Sequence, residues 1–328
     1  MPEMKFIRKI KLFFLTLCIG PMLTISAVGA DYPERTVKII VPFSAGGTAD
    51  ILARLLSKEL SDSWGKPVVV ENKAGAYGII GTQALAQAPP DGYTLGLLPS
   101  THAINSIVLK NLPYDTMRDF STLAMVARAP GLLVVNPSLN ANDVKAAFEL
   151  AKASPGAFNY ASPGALTAGH RSMELLKRAT GADIRHVPYK GGTPAVNDLL
   201  AGQVQFLIIA IPSVVSHVNA GKLRALAVTS PQRFEGMPEV PTVSESGYSG
   251  FDSVEWYGLF APARMPQAIA EKLSTDVLRA LRNPEIKKRM VAIGAVPGTG
   301  GAAELKGTLE GEIAKWTTLA AEMKLQAD

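Results

Sequence analysis

Pro42-Phe43-Ser44-Ala45-Gly46-Gly47-Thr48-Ala49-Asp50 joins a Val/Ile-rich run, residues 36–41, to a segment with helical apolar spacing. The run reads as a buried strand. Ile51, Leu52, Leu55, Leu56 and Leu60 fall three and four apart and mark one face of a helix that begins near Thr48. A glycine pair at such a turn exposes backbone N–H groups at the helix start, where no intrahelical acceptor exists and the dipole favours negative charge. The turn can serve as a pocket for an anion, or simply as a tight bend. No metal ligand cluster, paired nucleophile or phosphate-gripping lysine stands within it, so capture suits it better than catalysis.

The same grammar repeats outward. Apolar strands are expected at 68–71, 93–98, 132–135, 158–161, 184–188, 206–209 and 223–228. They alternate with helices at 79–88, 142–153 and 167–180, and with one near Pro194, taken as its first residue, that Gly202 closes. Helices at 267–281, 284–293 and 302–323 finish the chain. Alternation of this kind predicts an α/β fold with mostly parallel sheets. Two further strand-to-helix turns share the chemistry of the first: 160–170, with Ser162, Gly164 and Thr167, and 188–194, with Tyr189 and Thr193. In open α/β sheets ligands sit beyond the carboxyl ends of the strands, where such turns gather.

Composition narrows the classes. Lys5, Arg8, Lys9 and Lys11 precede an apolar run from residue 12 to 25, and Val28-Gly29-Ala30 follows. This predicts a secretory signal peptide over residues 1–30, cleaved after Ala30, with a periplasmic destination. The one cysteine of the chain, Cys18, lies in that segment. The mature chain therefore has neither a disulfide nor cysteine chemistry. Removing the leader lowers the formal charge from +5 to about +2, and no long Lys/Arg run remains to suggest nucleic acid. A monomer is expected.

Catalytic signatures are weak. No glycine turn continues into Lys-Ser/Thr, and Gly247-Tyr248-Ser249-Gly250-Phe251 departs from a nucleophile elbow at its last position. His102, His170, His186 and His217 are far apart in sequence, without metal spacing. Asp50 is expected to stabilise the first helix start. His170 could touch a ligand, cap a helix or pack in a core. Trp256 and Tyr257 read as core or as a cleft wall. No catalytic residue, cofactor or metal is expected.

Several stretches taken in order resemble the periplasmic solute receptors of tripartite tricarboxylate transporters, the Bug-type binding proteins. They are residues 41–50, Val70-Glu71-Asn72-Lys73-Ala74-Gly75-Ala76, Ala88-Pro89-Pro90-Asp91-Gly92-Tyr93-Thr94-Leu95, His186-Val187-Pro188-Tyr189-Lys190-Gly191, residues 198–204, residues 240–247 and Trp256-Tyr257-Gly258-Leu259-Phe260-Ala261-Pro262. They span the mature chain. The resemblance implies a two-lobed, type II-like periplasmic binding protein, each lobe a mixed sheet flanked by helices. Residues 31–130 with 250–328 would form lobe 1, and 131–249 lobe 2. It implies an extracytoplasmic receptor that delivers a small organic acid to membrane permease subunits. A sensing module for a membrane kinase is the alternative on the same fold, and an α/β enzyme a further one.

On this pattern a ligand carboxylate is held between the first and second turns, at Phe43, Ser44, Ala45, Gly46 and Gly47 and at Ser162, Gly164 and Thr167, with Tyr189 from the third. Two departures bear on selectivity. Leu166 stands where relatives often have a second-turn glycine. Ile209-Ala210 replaces an acidic or amide pair, which predicts an apolar wall and a ligand with one carboxylate or an apolar body in preference to citrate.

Overall fold

Val37–Val41 (β1) is buried along nearly its whole length, as its Val/Ile run demands. The computed structural model describes residues 32–323; the expected leader over residues 1–30 lies outside them. After β1 come α1 (Thr48–Trp64), β2 (Val68–Asn72), α2 (Ile79–Ala86), β3 (Thr94–Pro99), α3 (Thr101–Val108) and β4 (Phe120–Val135). The middle of the chain adds α4 (Val144–Ala153), β5 (Phe158–Ser162), α5 (Ala168–Thr180), β6 (Ile184–Pro188), α6 (Gly192–Leu200), β7 (Phe206–Ala210), α7 (Val215–Asn219) and β8 (Arg224–Val228). The return brings β9 (Val254–Pro262), α8 (Gln267–Arg282), α9 (Pro284–Ala292), β10 (Val296–Pro297) and α10 (Ala302–Met323).

Two mixed sheets result. In the first, β1 pairs parallel with β2 and β3, and β9 runs antiparallel to β3 and β4. In the second, β5 pairs parallel with β6 and β7, while β4 runs antiparallel to β7 and β8. Strand β4 belongs to both. Its residues 120–130 pair with β9 and its residues 131–135 with β7 and β8. One 16-residue strand is thus the spine of two lobes.

Each sheet buries its own apolar clusters. Leu52, Leu56 and Leu60 of α1 pack with Ile39, Leu97, Leu273 and Val277 in the first lobe. Phe148, Tyr160, Leu176 and Phe206 pack on one face of the second sheet, and Leu132, Leu199, Ile209 and Val228 on the other. Each fully buried large apolar side chain supplies about 1.5–3 kcal/mol. Helix α1 stops where Gly65 takes a left-handed φ of 62° and returns its N–H to Ser61 O, the usual glycine termination. No helix among the described residues is long and apolar enough to cross a membrane.

Several elements differ from the sequence reading. Helices α3 and α7 and strands β9 and β10 were not expected, nor was β4 before residue 132. The part of β4 paired with β9, residues 120–130, carries Arg128, Pro130 and three alanines, which interrupt the strand signal; pairing with β9 along its length makes it a strand. Helix α3 is eight residues long, too short to hold by propensity, and it packs through Ile104 against Trp316 of α10. Pro194 is the third residue of α6, not the first. Its missing N–H still falls in the turn where no intrahelical acceptor exists.

His102 of α3 is buried in an aromatic cluster, its ring 4.8 Å from Phe120 and 5.1 Å from Phe260, centroid to centroid. Burial pushes its pKa down to about 3. The folded state therefore keeps it neutral, whereas the unfolded chain takes up a proton below about pH 6.5. Stability that is complete above that pH is lost as pH falls toward the folded value, at up to about 1.4 kcal/mol per pH unit for this residue. His102→Phe is expected to flatten the fall in urea-unfolding stability between pH 6.5 and 4.5. An unchanged slope would show that His102 does not contribute to acid sensitivity.

Candidate functional site

The three glycine turns meet between the lobes. Gly47, the residue before α1, offers no side-chain cap, and neither does Gly191 before α6. The first-turn N–H groups of both helices therefore lack an intrahelical partner. A Cβ built on Gly47 would lie 3.9 Å from Gly192 N, so the two helix starts approach each other across the seam. The third helix start, α5, is capped by its own Thr167, which accepts from His170 N at 3.5 Å.

Between these helix starts lies a narrow cleft with about 60 Å³ of free interior space. Its apolar wall comes from Phe43, Pro99, Pro163 and Ile208 to Ala210. Hydroxyls from Thr48, Thr101, Ser172, Ser213, Thr229 and Ser253 also line it, as do Glu255 and Tyr257. Among the described residues lining it there is no lysine, arginine, histidine or aspartate. Nor do the described residues contain a group of three or more His, Cys, Asp or Glu able to hold a metal. Binding by backbone dipoles is the chemistry this arrangement offers.

The expected site residues fall into three sets. Phe43, Gly47, Thr167, Ile209 and Ala210 line the cleft. Gly164 and Tyr189 line an adjoining groove with Phe43 and the Gly75–Gly78 turn, and the Tyr189 hydroxyl donates to Asp198 Oδ2 at 2.6 Å. Ser44, Ala45 and Gly46 sit at the lobe seam. A Cβ on Gly191 (φ 136°) would come 2.1 Å from Ser44 Oγ, and Thr193 Oγ1 donates to Ala45 O at 2.7 Å.

The Gly46 N–H donates to Asp50 Oδ2 at 2.9 Å, and Arg54 Nε donates to the same oxygen. Burial opposes the Asp50 charge, but hydrogen bonds from Arg54 and the Gly46 N–H outweigh it and hold the carboxyl below its ordinary value. The protein's own carboxylate thus occupies one donor of the first turn.

Ser162 and Leu166 are turned away from the cleft. Ser162 Oγ bonds to His186 Nε2 at 2.7 Å and donates to Gly164 O, shaping the second turn. Leu166 holds a left-handed φ of 66°, the conformation a glycine adopts at no steric penalty. Its N–H donates to His170 Nδ1 at 3.1 Å, so His170 serves as an acceptor for the turn. The Leu166 side chain packs with Ile104, Ala165 and Trp316, at the contact between α5's turn and the first lobe.

Arg171 of α5 strengthens that contact. Only 2% exposed, it donates to Leu166 O (2.6 Å), Ser100 Oγ (3.0 Å) and Glu312 Oε1 (3.3 Å). Its guanidinium lies over Trp316, 4.6 Å from the ring centroid. The lobes are further tied by Thr48 Oγ1 to Ser213 Oγ at 2.8 Å. At the base of the cleft Gly131 N donates to Thr229 Oγ1, which in turn donates to Ser253 O. This cross-link joins the two strands of chain that pass between lobes.

Sequence reasoning missed Thr101, Ser213, Thr229, Ser253 and Glu255. Pro99-Ser100-Thr101 is a strand-to-helix turn without glycine, so a search for glycine turns passes over it. Glu255 did leave a signal: it is the lone charge in the apolar strand Val254–Pro262.

Residues 52–325 match the family described as Tripartite tricarboxylate transporter family receptor. The chain belongs to that family. It is 38% identical over 298 residues to Protein BugT of Bordetella pertussis, covering 90% of this chain and 91% of that one. Among solved structures it resembles R. palustris Rpa4515 with adipate (TM-score 0.88, 35% identity, covering 90% of this chain and 99% of that one). It also resembles MatC from Rhodopseudomonas palustris with bound malate (TM-score 0.83, 31% identity, 88% and 99%). The fold is that of a two-lobed periplasmic binding protein.

The seam contacts hold the two lobes together. Thr193→Val deletes the hydrogen bond to Ala45 O, worth about 1 kcal/mol. The radius of gyration of the unliganded protein in solution scattering is expected to rise, and affinity for a ligand held between the lobes to fall about fivefold. Identical scattering curves would remove this bond from the closure energetics.

Proposed function

We propose that this protein is a receptor that captures a small organic carboxylate in the periplasm, after removal of residues 1–30, and delivers it to the membrane permease of a tripartite transporter. The observation that carries the reading is the pair of uncapped helix starts, α1 and α6, facing one another across a cleft whose lining holds no cationic side chain. Desolvated backbone N–H groups bind a carboxylate through charge-assisted hydrogen bonds. Adipate and malate in the structures of two relatives support a carboxylic acid as the ligand class.

In this reading residues 31–130 with 250–328 form one lobe and 131–249 the other. The turn from Phe43 to Gly47 and the N-terminus of α6 hold the carboxylate. Ser162, Gly164 and Leu166 set the shape of the second turn, and Thr167 faces the ligand. Ile209 and Ala210 give the remainder of the ligand an apolar wall, which favours one carboxylate with an apolar body over citrate. Lobe closure then follows from contacts made only when both lobes meet the ligand.

A thermal-shift panel of organic acids tests the reading. A ligand at about 100 times its Kd adds roughly 2.7 kcal/mol of apparent stability, and monocarboxylates are expected to shift Tm more than citrate. Gly47 has φ −76°, which a β-branched residue can adopt. Gly47→Val places its side chain between Ser44 O and Gly192 N and is expected to abolish the shift while the unliganded protein still folds. A shift that persists in Gly47→Val would place the carboxylate elsewhere.

A further inference from the structure

The polar groups lining the cleft are not equally occupied. Thr48 pairs with Ser213, Ser172 with Ser253, and Thr229 bridges Gly131 N and Ser253 O. Thr101 is different. It is 2% exposed, lines the cleft, and its Oγ1 has no hydrogen-bond partner. A buried hydroxyl left unpaired is unfavourable, a penalty that a ligand group can relieve.

Glu255 also lines the cleft. Its Oε1 accepts from Ser100 N at 2.9 Å, next to Thr101 in the chain. On β9 it stands opposite Ala129 of β4, two residues from Gly131, so it lies beside the chain crossing at the base of the cleft.

We propose that Glu255 and Thr101 form a second polar subsite, which selects a carboxylic acid bearing a hydrogen-bond donor, hydroxyl or ammonium, at the end away from its carboxylate. The proposal rests on the carboxylate-receptor reading above and adds the chemistry of the ligand's other end. Charge supports it. Glu255 and Glu312 both interact with the single guanidinium of Arg171, so the cluster holds two carboxylates against one cation. Burial pushes the Glu255 carboxyl up, and Arg171 pulls it back. A donor from the ligand stabilises the ionised carboxyl, whereas a second ligand carboxylate meets like charge in a desolvated site.

Strand β9 supplies the scale. Tyr257 lines the cleft together with Thr48 at the start of α1, where the ligand carboxylate is proposed to sit. Glu255 is two residues earlier on the same strand face, about 7 Å away. Acids of about four or five carbons match that span.

The test is calorimetric titration of the mature chain with butyrate, γ-hydroxybutyrate, γ-aminobutyrate and succinate, and with their valerate and glutarate homologues. The hydroxy or amino acid is expected to bind at least about tenfold more tightly than the plain acid of the same length, and the diacid no more tightly than the plain acid. Glu255→Gln keeps an acceptor for Ser100 N and removes the charge. It should erase a preference for the amino acid and reduce one for the hydroxy acid less. Thr101→Val removes the free hydroxyl at constant shape and should lower both preferences several-fold. A preference that vanishes in Glu255→Gln identifies the ammonium; one lost chiefly in Thr101→Val identifies the hydroxyl.

Diacids binding more tightly than donor-bearing acids, or ratios unchanged in both variants, would overturn this subsite and leave the carboxylate-receptor reading standing. Absence of binding by every acid in this series and in the thermal-shift panel overturns both.

Discussion

The N–H groups at the head of an α-helix have no acceptor within the helix, and a folded protein must give them one from elsewhere. In this chain α5 solves the problem with its own Thr167. Helices α1 and α6 begin at Gly47 and Gly191 and carry no side-chain cap. Their donors face a cleft between lobes. The glycines at these starts permit the close approach: a side chain on Gly191 would strike Ser44, and one on Gly47 would crowd Ser44 O. In the proposed reading, carboxylate binding follows from this constraint on backbone hydrogen bonding, and no cationic side chain needs to be placed in the site to provide it.

For two helix starts to oppose each other, the lobes that carry them must be held in register. Strand β4 does this by serving both sheets. At its crossing, the Gly131–Thr229–Ser253 hydrogen bonds link it to the segments on either side of the second lobe's last turn. Away from the crossing the seam is closed by a few contacts of different kinds. They include the Thr193–Ala45 bond, the Thr48–Ser213 pair and the apolar contact of Leu166 with Ile104 and Trp316. Arg171 adds a buried guanidinium, whose desolvation is offset only by its hydrogen bonds and ion pair. It reaches Ser100 and Glu312 in the other lobe, so much of its compensation exists only when the lobes meet.

Much of the architecture was legible because its signals are local. The strand-to-helix rhythm, the three glycine turns and the apolar faces of α1 and α5 depend on residues near one another in sequence. The same locality explains the errors. Leu166 was placed in the cleft because it follows Ser162 and Gly164, yet its left-handed φ turns its side chain under α10. Strand β4 was seen only at its Leu-Leu-Val-Val end, since the Ala- and Pro-containing half becomes a strand through pairing with β9, whose residues lie more than a hundred positions away.

The sequence by itself determined the α/β class, the family, the glycine turns and the apolar character of Ile209-Ala210, all of them properties of short stretches. Tertiary structure alone decided which donors remain free. Gly46 is taken by Asp50 and Leu166 by His170, while α1 and α6 stay uncapped. It also brought Thr101 and Glu255, far apart in the chain, into the lining of one cleft. The physical reason is that a hydrogen bond is satisfied in space: residue type names the donors and acceptors, and only the packed fold pairs them.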